Sequence, residues 1–195
     1  MRRDLLPSVI AIFVLTALFG VIYPLATTGV AQVLFPGKAD GSRVERDGRV
    51  VGSRLIGQDF KGRPRCFQSR PSATHYSGNL TYFNNLGPNS RNLSAQFDKN
   101  LATYLKRERP FDPSLRRADV PVDAVSTSAS GVDPHISEAN ARIQARRVAT
   151  VRGLELARVH QLVDDNTDGR FAGVLGEPGV NVLELNLALD RAGSR

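Results

Sequence analysis

The feature that most constrains this chain is a long run without charge. Between Asp4 and Lys38 no residue carries one, and seventeen of the twenty-two residues from Leu5 to Ala26 are apolar. A helix of that length reaches roughly 33 Å, enough for a hydrocarbon core of about 30 Å. Pro7 falls in the first turn, where a missing N–H costs little, while Gly20 and Pro24 come late and are expected to kink or end the helix near one interface, with Tyr23 as an aromatic anchor. The competing reading is a cleaved export signal, because Arg2 and Arg3 make a positive start and Gly29-Val30-Ala31 offers small residues for cleavage. The apolar part of such a signal is usually about 7–15 residues, so the length argues for a retained anchor. Charge on the two flanks differs little, and orientation follows instead from an anchor near the start with a long domain behind it. The expected layout is a cytoplasmic N-terminus (1–4), a transmembrane helix (5–26), a linker (27–43) and one extracytoplasmic α+β domain (44–195).

Beyond the first 37 residues about 158 remain, ample for one core. In this part 24 lysines and arginines face 18 acids, so most of the chain's basic character belongs to it. The arginines are scattered and no recognition motif accompanies them, which argues against nucleic acid and for anionic lipid or an acidic partner. Cys66 is the sole cysteine, so neither an intramolecular disulfide nor a thiolate metal cluster is available, and an exported domain must be held by its core.

Asp47-Gly48 between β-prone segments is the strongest hairpin signal, with Leu55, Ile56 and Phe60 expected to continue an apolar strand face. The polar run Gln68-Ser69-Arg70-Pro71-Ser72 follows an aromatic, and Pro71 keeps Arg70 out of the helical region. From Tyr76 to Asn89 turn formers predict a long ordered loop. Helical spacing of Leu93, Phe97, Leu101, Tyr104 and Leu105 predicts a helix over 92–108, stopped by Pro110. A short strand is expected over Val120–Val125. Ser137 then caps a helix over 138–152 that ends at Gly153, and a second helix covers 155–164. Asp165–Gly169 reads as a turn. In the tail, Leu183, Leu185, Leu187 and Leu189 alternate as in a strand, but leucine and alanine favour helix and Asn181 can cap it.

Several clusters invite chemistry. Ser128, Ser130, Asp133 and His135 contain the residue types of a hydrolase, with Ser130 and His135 as its nucleophile and base, yet no Gly-x-Ser-x-Gly elbow is present. Asp133 and His135 with His75 or Asp123 contain metal-ligand types without diagnostic spacing, so no metal is expected. No Walker or Gly-x-Gly-x-x-Gly motif occurs, and any ATP contact must be improvised from Gln68, Ser69 and Arg70 with backbone N–H groups. Arg70 reads otherwise as an internally paired loop arginine or a partner contact. The hydroxyls of Ser126–Ser130 suit either a plain turn or a cation pathway. A membrane-tethered solute-binding protein is a further alternative.

Five segments in order behind one anchor carry a family resemblance: Phe67-Gln68-Ser69-Arg70-Pro71-Ser72-Ala73, Asn85-Leu86-Gly87-Pro88, Ser128 to Ser137, Arg146-Arg147-Val148-Ala149, and Leu175-Gly176-Glu177-Pro178 followed by Asn181 to Asp190. On these the chain resembles, over its whole length, the C subunit of the bacterial Kdp potassium-transporting ATPase. It departs from the family's Ser-Gly-Gly-Ser type run at Ser77 to Asn84 and has Glu138 where many members carry proline after the cap serine. The resemblance implies a non-catalytic subunit in the inner membrane, beside a potassium-translocating channel-like subunit, a P-type ATPase subunit and a small membrane subunit. It also implies a role in stabilising the assembly and, as catalytic chaperone, in raising ATP affinity. Gln68, Ser69 and Arg70 are the candidate nucleotide or interface contacts. Ala17 and Gly20 are small enough to let neighbouring membrane helices approach.

Overall fold

A computed structural model describes residues 2–79 and 85–193. The chain divides into two compact units, Met1–Ser53 and Arg54–Arg195. In the first, α1 (Arg2–Ala17) passes through a π turn at Leu18–Ile22 into α2 (Tyr23–Leu34), giving a continuous helix long and apolar enough to cross a membrane. The helix therefore runs eight residues past Ala26, through the first part of the expected linker. Pro24 does not end it. Proline cannot donate to the carbonyl one turn back, and the π turn accommodates this by letting the Tyr23 N–H reach Leu18 O, five residues back. Phe35 leaves helical geometry, and a single turn, α3 (Pro36–Ala39), follows.

The hairpin lies at Asp47-Gly48, both with positive φ, between β1 (Arg43–Arg46) and β2 (Arg49–Ser53), with a bulge between Val44 and Glu45. Among the described residues these strands pair with each other alone. The apolar strand face expected through Leu55 and Ile56 does not form: both side chains are exposed, and only Phe60 is buried. The chain turns there because Gly57 N–H donates to Val132 O at 2.7 Å, and a Cβ at Gly57 would stand 2.4 Å from the Asp133 carbonyl oxygen. That approach is open only to glycine.

In the second unit, α4 (Arg91–Glu108) is capped by Ser90, whose Oγ accepts from Leu93 N–H. The expected strand at Val120–Val125 is instead two 3-10 turns, Arg117–Asp119 and Val122–Ala124. Pro121 lacks a donor, and the Asp123 carboxylate serves a different purpose: it accepts from Ser137 N–H and Oγ and from Asn140 Nδ2 at 2.7–2.9 Å. α5 (Glu138–Arg152) starts at Ser137 and stops at left-handed Gly153, as the sequence predicts. α6 (Leu156–Asp165) and α7 (Val182–Ala192) follow, the latter capped by Asn181. β3 (His135–Ile136), β4 (Thr167–Asp168) and β5 (Gly179–Asn181) form an antiparallel sheet in the order β3-β5-β4, so the expected turn at 165–169 contains a short strand.

Helix α5 is central. Its Ala141, Ala145, Val148 and Ala149 are buried together with Val159, Leu162 and Val163 of α6 and Leu185 and Leu189 of α7. A second cluster joins Tyr104 and Leu105 of α4 to Leu115 and Ala124. The unit is α+β with helices predominating.

Candidate functional site

The site is built on an extended segment that has no neighbouring strand. Phe67 is fully buried, and its N–H donates to Asn186 Oδ1 at 2.8 Å while its carbonyl accepts from Asn186 Nδ2 at 3.0 Å. Gln144 repeats the arrangement at Gln68, accepting its N–H at 2.8 Å and donating to its carbonyl at 3.1 Å. Two side-chain amides, from α7 and α5, thus stand in for the peptide edge of a strand and satisfy buried backbone groups that would otherwise be costly. Arg147 holds the preceding turn, with Nη1 donating to the carbonyls of Pro64 and of Cys66, the latter at 2.9 Å. Its side chain is 1 % exposed and pairs with Glu108 of α4, equally buried, at 3.1 Å. Burial pushes the Arg147 pKa down from its ordinary value, and the Glu108 carboxylate opposes the shift. Tyr104 Oη donates to Asn140 Oδ1 at 2.9 Å, extending this buried network, and burial raises its phenol pKa.

Sequence reasoning gave no role to Glu108, Gln144, Arg147 or Asn186, although Arg147 and Asn186 fall in segments that carry the family resemblance. The available signal was polar residues on the apolar faces of otherwise regular helices.

From this clamp the candidate residues run outward. Gln68 is buried, and its Nε2 donates to Phe60 O at 2.6 Å and Arg63 O at 3.2 Å. Ser69 Oγ donates to Gln58 O at 3.1 Å. Arg70 Nη1 pairs with Asp133 at 2.9 Å, its Nη2 donates to Ser126 Oγ at 3.2 Å, and its carbonyl accepts from Tyr76 Oη. Ser72 Oγ donates to Gly131 O at 2.6 Å, and Ser128 N–H donates to Pro71 O at 2.9 Å. The two polar runs singled out in the sequence, 68–74 and 126–137, are therefore packed against each other although about sixty residues separate them. Gly131 has φ +74°, and Thr74 Oγ1 sits 2.5 Å from where its Cβ would be.

Gln68 and Ser69 border a narrow cleft of about 170 Å³ with Lys61, Tyr76, Tyr104 and Arg107. Lys61 Nζ lies 5.9 Å from the Tyr76 ring centre, and the Arg107 guanidinium lies 4.9 Å from that of Tyr104. Arg70 borders a different recess, of about 390 Å³, with Asp133, His135, Asp168 and Glu177.

The hydrolase cluster does not assemble. His135 Nε2 is 3.2 Å from Asp168, whereas Ser130 Oγ is 3.2 Å from Ser128 Oγ and accepts from Val132 N–H, so no serine–histidine hydrogen bond occurs among the described residues. A nucleophile must meet its base to be activated. The Ser126 and Ser128 groups bond inward as above, as a turn requires. The loop expected over Tyr76–Asn89 falls partly on 80–84, outside the described residues.

The class that the fold defines is a chain with one helix long and apolar enough to cross a membrane, followed in sequence by an α+β unit. A family model described as K+-transporting ATPase, c chain, matches residues 5–191. The chain belongs to that family, KdpC. It is 46 % identical to the potassium-transporting ATPase KdpC subunit of Bradyrhizobium diazoefficiens, with both chains covered completely. It is 49 % identical to that of Sorangium cellulosum and 45 % identical to that of Mycobacterium tuberculosis, in each case over 98 % of this chain and all of the relative.

Proposed function

We propose that this chain is the non-catalytic C subunit of an ATP-driven potassium uptake pump, anchored in the inner membrane by Asp4–Leu34 with its Arg54–Arg195 unit outside the cytoplasm. The observation that carries this reading is the match to the family and to its full-length relatives from the anchor helix through α7. The partners are a potassium-translocating channel-like subunit, a P-type ATPase subunit and a small membrane subunit, and the chain stabilises their assembly. It raises the ATP affinity of the ATPase subunit as a catalytic chaperone.

Direct ATP contact at Gln68, Ser69 and Arg70 would require breaking the bonds each makes inside the domain. Gln68 is held on both its backbone and its side chain, and Arg70 is paired with Asp133. Coupling through the subunit contacts is the route that costs less, with an effect on ATP affinity of roughly 5–150-fold, the usual range for coupled sites.

The test is to tag the C-terminus, starve cells of potassium, solubilise the membranes mildly and purify. Copurification of three further subunits with potassium-stimulated ATPase activity is expected, and elution of the chain alone would overturn the proposal.

A further inference from the structure

The membrane-length helix carries a backbone group that its own chain leaves unpaired. A helical carbonyl accepts from the N–H four residues on, or five residues on in a π turn. For Phe19 these two positions are Tyr23 and Pro24. The Tyr23 N–H is committed to Leu18 O, and proline has no N–H to give. Side chains do not replace them: the Thr27 hydroxyl, the first beyond the proline, donates to Tyr23 O and Pro24 O at 2.9 and 3.0 Å. Phe19 O is therefore left without a donor from its own helix.

Depth decides what can supply one. Phe19 is the central residue of the Asp4–Leu34 span, fifteen positions from either end. That is about 22 Å along the axis, against about 15 Å for half a hydrocarbon core, so interfacial water and headgroups lie out of reach. Lipid tails offer no donor, and an unsatisfied carbonyl in their midst is costly. The surface beside it is open: Gly20 follows directly, and a Cβ built there meets only Thr16 Cγ2, at 3.8 Å. Ser8 and Thr27 turn their hydroxyls back onto carbonyls four residues earlier, whereas the Thr16 hydroxyl, one turn before Gly20, has no partner among the described residues. What covers this notch has to bring a hydrogen-bond donor to the middle of the bilayer, and a second helix does so with a serine, threonine, asparagine or glutamine side chain.

We propose that a transmembrane helix of another subunit of the pump packs against Thr16 and Gly20 and donates a side-chain hydrogen bond to the Phe19 carbonyl. This rests on the proposed function above. Pro24 is then an element of recognition: by withholding one N–H it makes the helix take a donor from its partner.

The sequence makes the test selective. Phe19-Gly20 is the one Phe-Gly step in the chain, so labelling with carbonyl carbon-13 phenylalanine and nitrogen-15 glycine isolates a single carbonyl resonance. Solid-state NMR reads it in the full-length chain alone in bilayers and in the same labelled chain assembled with unlabelled pump subunits. Hydrogen bonding moves a carbonyl carbon to higher chemical shift, and that displacement is expected on assembly only. An unchanged resonance on assembly would overturn the proposal, and so would the displaced position in the chain alone, the mark of water or a second copy as donor. In parallel, Gly20→Leu fills the notch without a clash inside its own helix, and it is expected to lower retention on a tagged ATPase subunit by about three- to twentyfold during detergent washing. Ala11→Leu makes a comparable enlargement two and a half turns away, on the opposite face, and is expected to leave retention unchanged. Undiminished retention of the Gly20 variant, or equal loss in both, would refute packing at the notch. Wild-type copurification keeps the two readings apart. If the chain fails to copurify, the subunit reading falls and takes the contact with it; if it copurifies while the Phe19 resonance stays in place, the contact alone is wrong.

Discussion

At the scale of single residues, Asp119 on the surface is a carboxylate tuned well away from its ordinary range. The Arg116 side chain donates to Asp119 through Nε at 3.0 Å and Nη2 at 2.8 Å, and the Arg116 backbone N–H adds a bond at 2.9 Å, lowering the Asp119 pKa to about 2. The folded value lies below the usual carboxylate value of about 3.9, so the stabilisation is complete above that pH and is lost as pH falls through about 2. An NMR titration of the Asp119 carboxyl should show a midpoint near 2, and Arg116→Ala should move it toward about 3.9. No movement in the variant would refute the pairing. Some residue roles were legible in the sequence. Ser137 and Asn181 announce helix starts and Gly153 a helix end, because capping is local chemistry. The role of Arg147 was not legible: besides Gln144 one turn back on α5, its partners lie on α4 and on the turn at Pro64–Cys66, far away in sequence, and no local pattern distinguishes a buried arginine from a solvated one.

At the scale of elements, the long helices followed from apolar spacing, but the strands of the second unit did not, since two or three residues carry no period. The tail is the instructive case. Alternating leucines argued for strand, and the chain resolves the conflict within four residues, with Gly179–Val180–Asn181 pairing as β5 and Val182 beginning α7. Asn181 is the switch. It is buried, its Oδ1 accepts from Glu184 N–H at 3.2 Å, and its Nδ2 donates to Arg54 O at 2.9 Å. Asn181→Ala removes the cap and leaves the Arg54 carbonyl without that donor, and should cost about 1–2 kcal/mol. Denaturant unfolding of the full-length chain in detergent checks this, together with faster amide exchange in the first turn of α7. A stability within about 0.5 kcal/mol of wild type would contradict the role.

At the scale of the whole molecule, the Glu108–Arg147 pair ties α4 to α5 and to the segment that leads into the candidate site. Removing one partner leaves the other charge buried, so Arg147→Met should destabilise by about 3–5 kcal/mol. Adding Glu108→Leu should recover part of that loss but not all, because the Pro64 and Cys66 carbonyls still lack their donor. A double variant as unstable as the sum of the two single changes would exclude coupling between the pair. The contact of the 68–74 and 126–137 runs was not legible either, although each drew attention separately. It depends on Gly57 and Gly131 admitting close approach, which no local pattern encodes. The side-chain clamp on Phe67 carries one more consequence. A chain made from its N-terminus places residues 64–70 early, yet the amide that completes their bonding lies in the final helix, 119 residues beyond Phe67. The candidate site therefore has no finished form in any nascent chain that stops short of Asn186, and quality control of the C-terminus is at the same time quality control of the site.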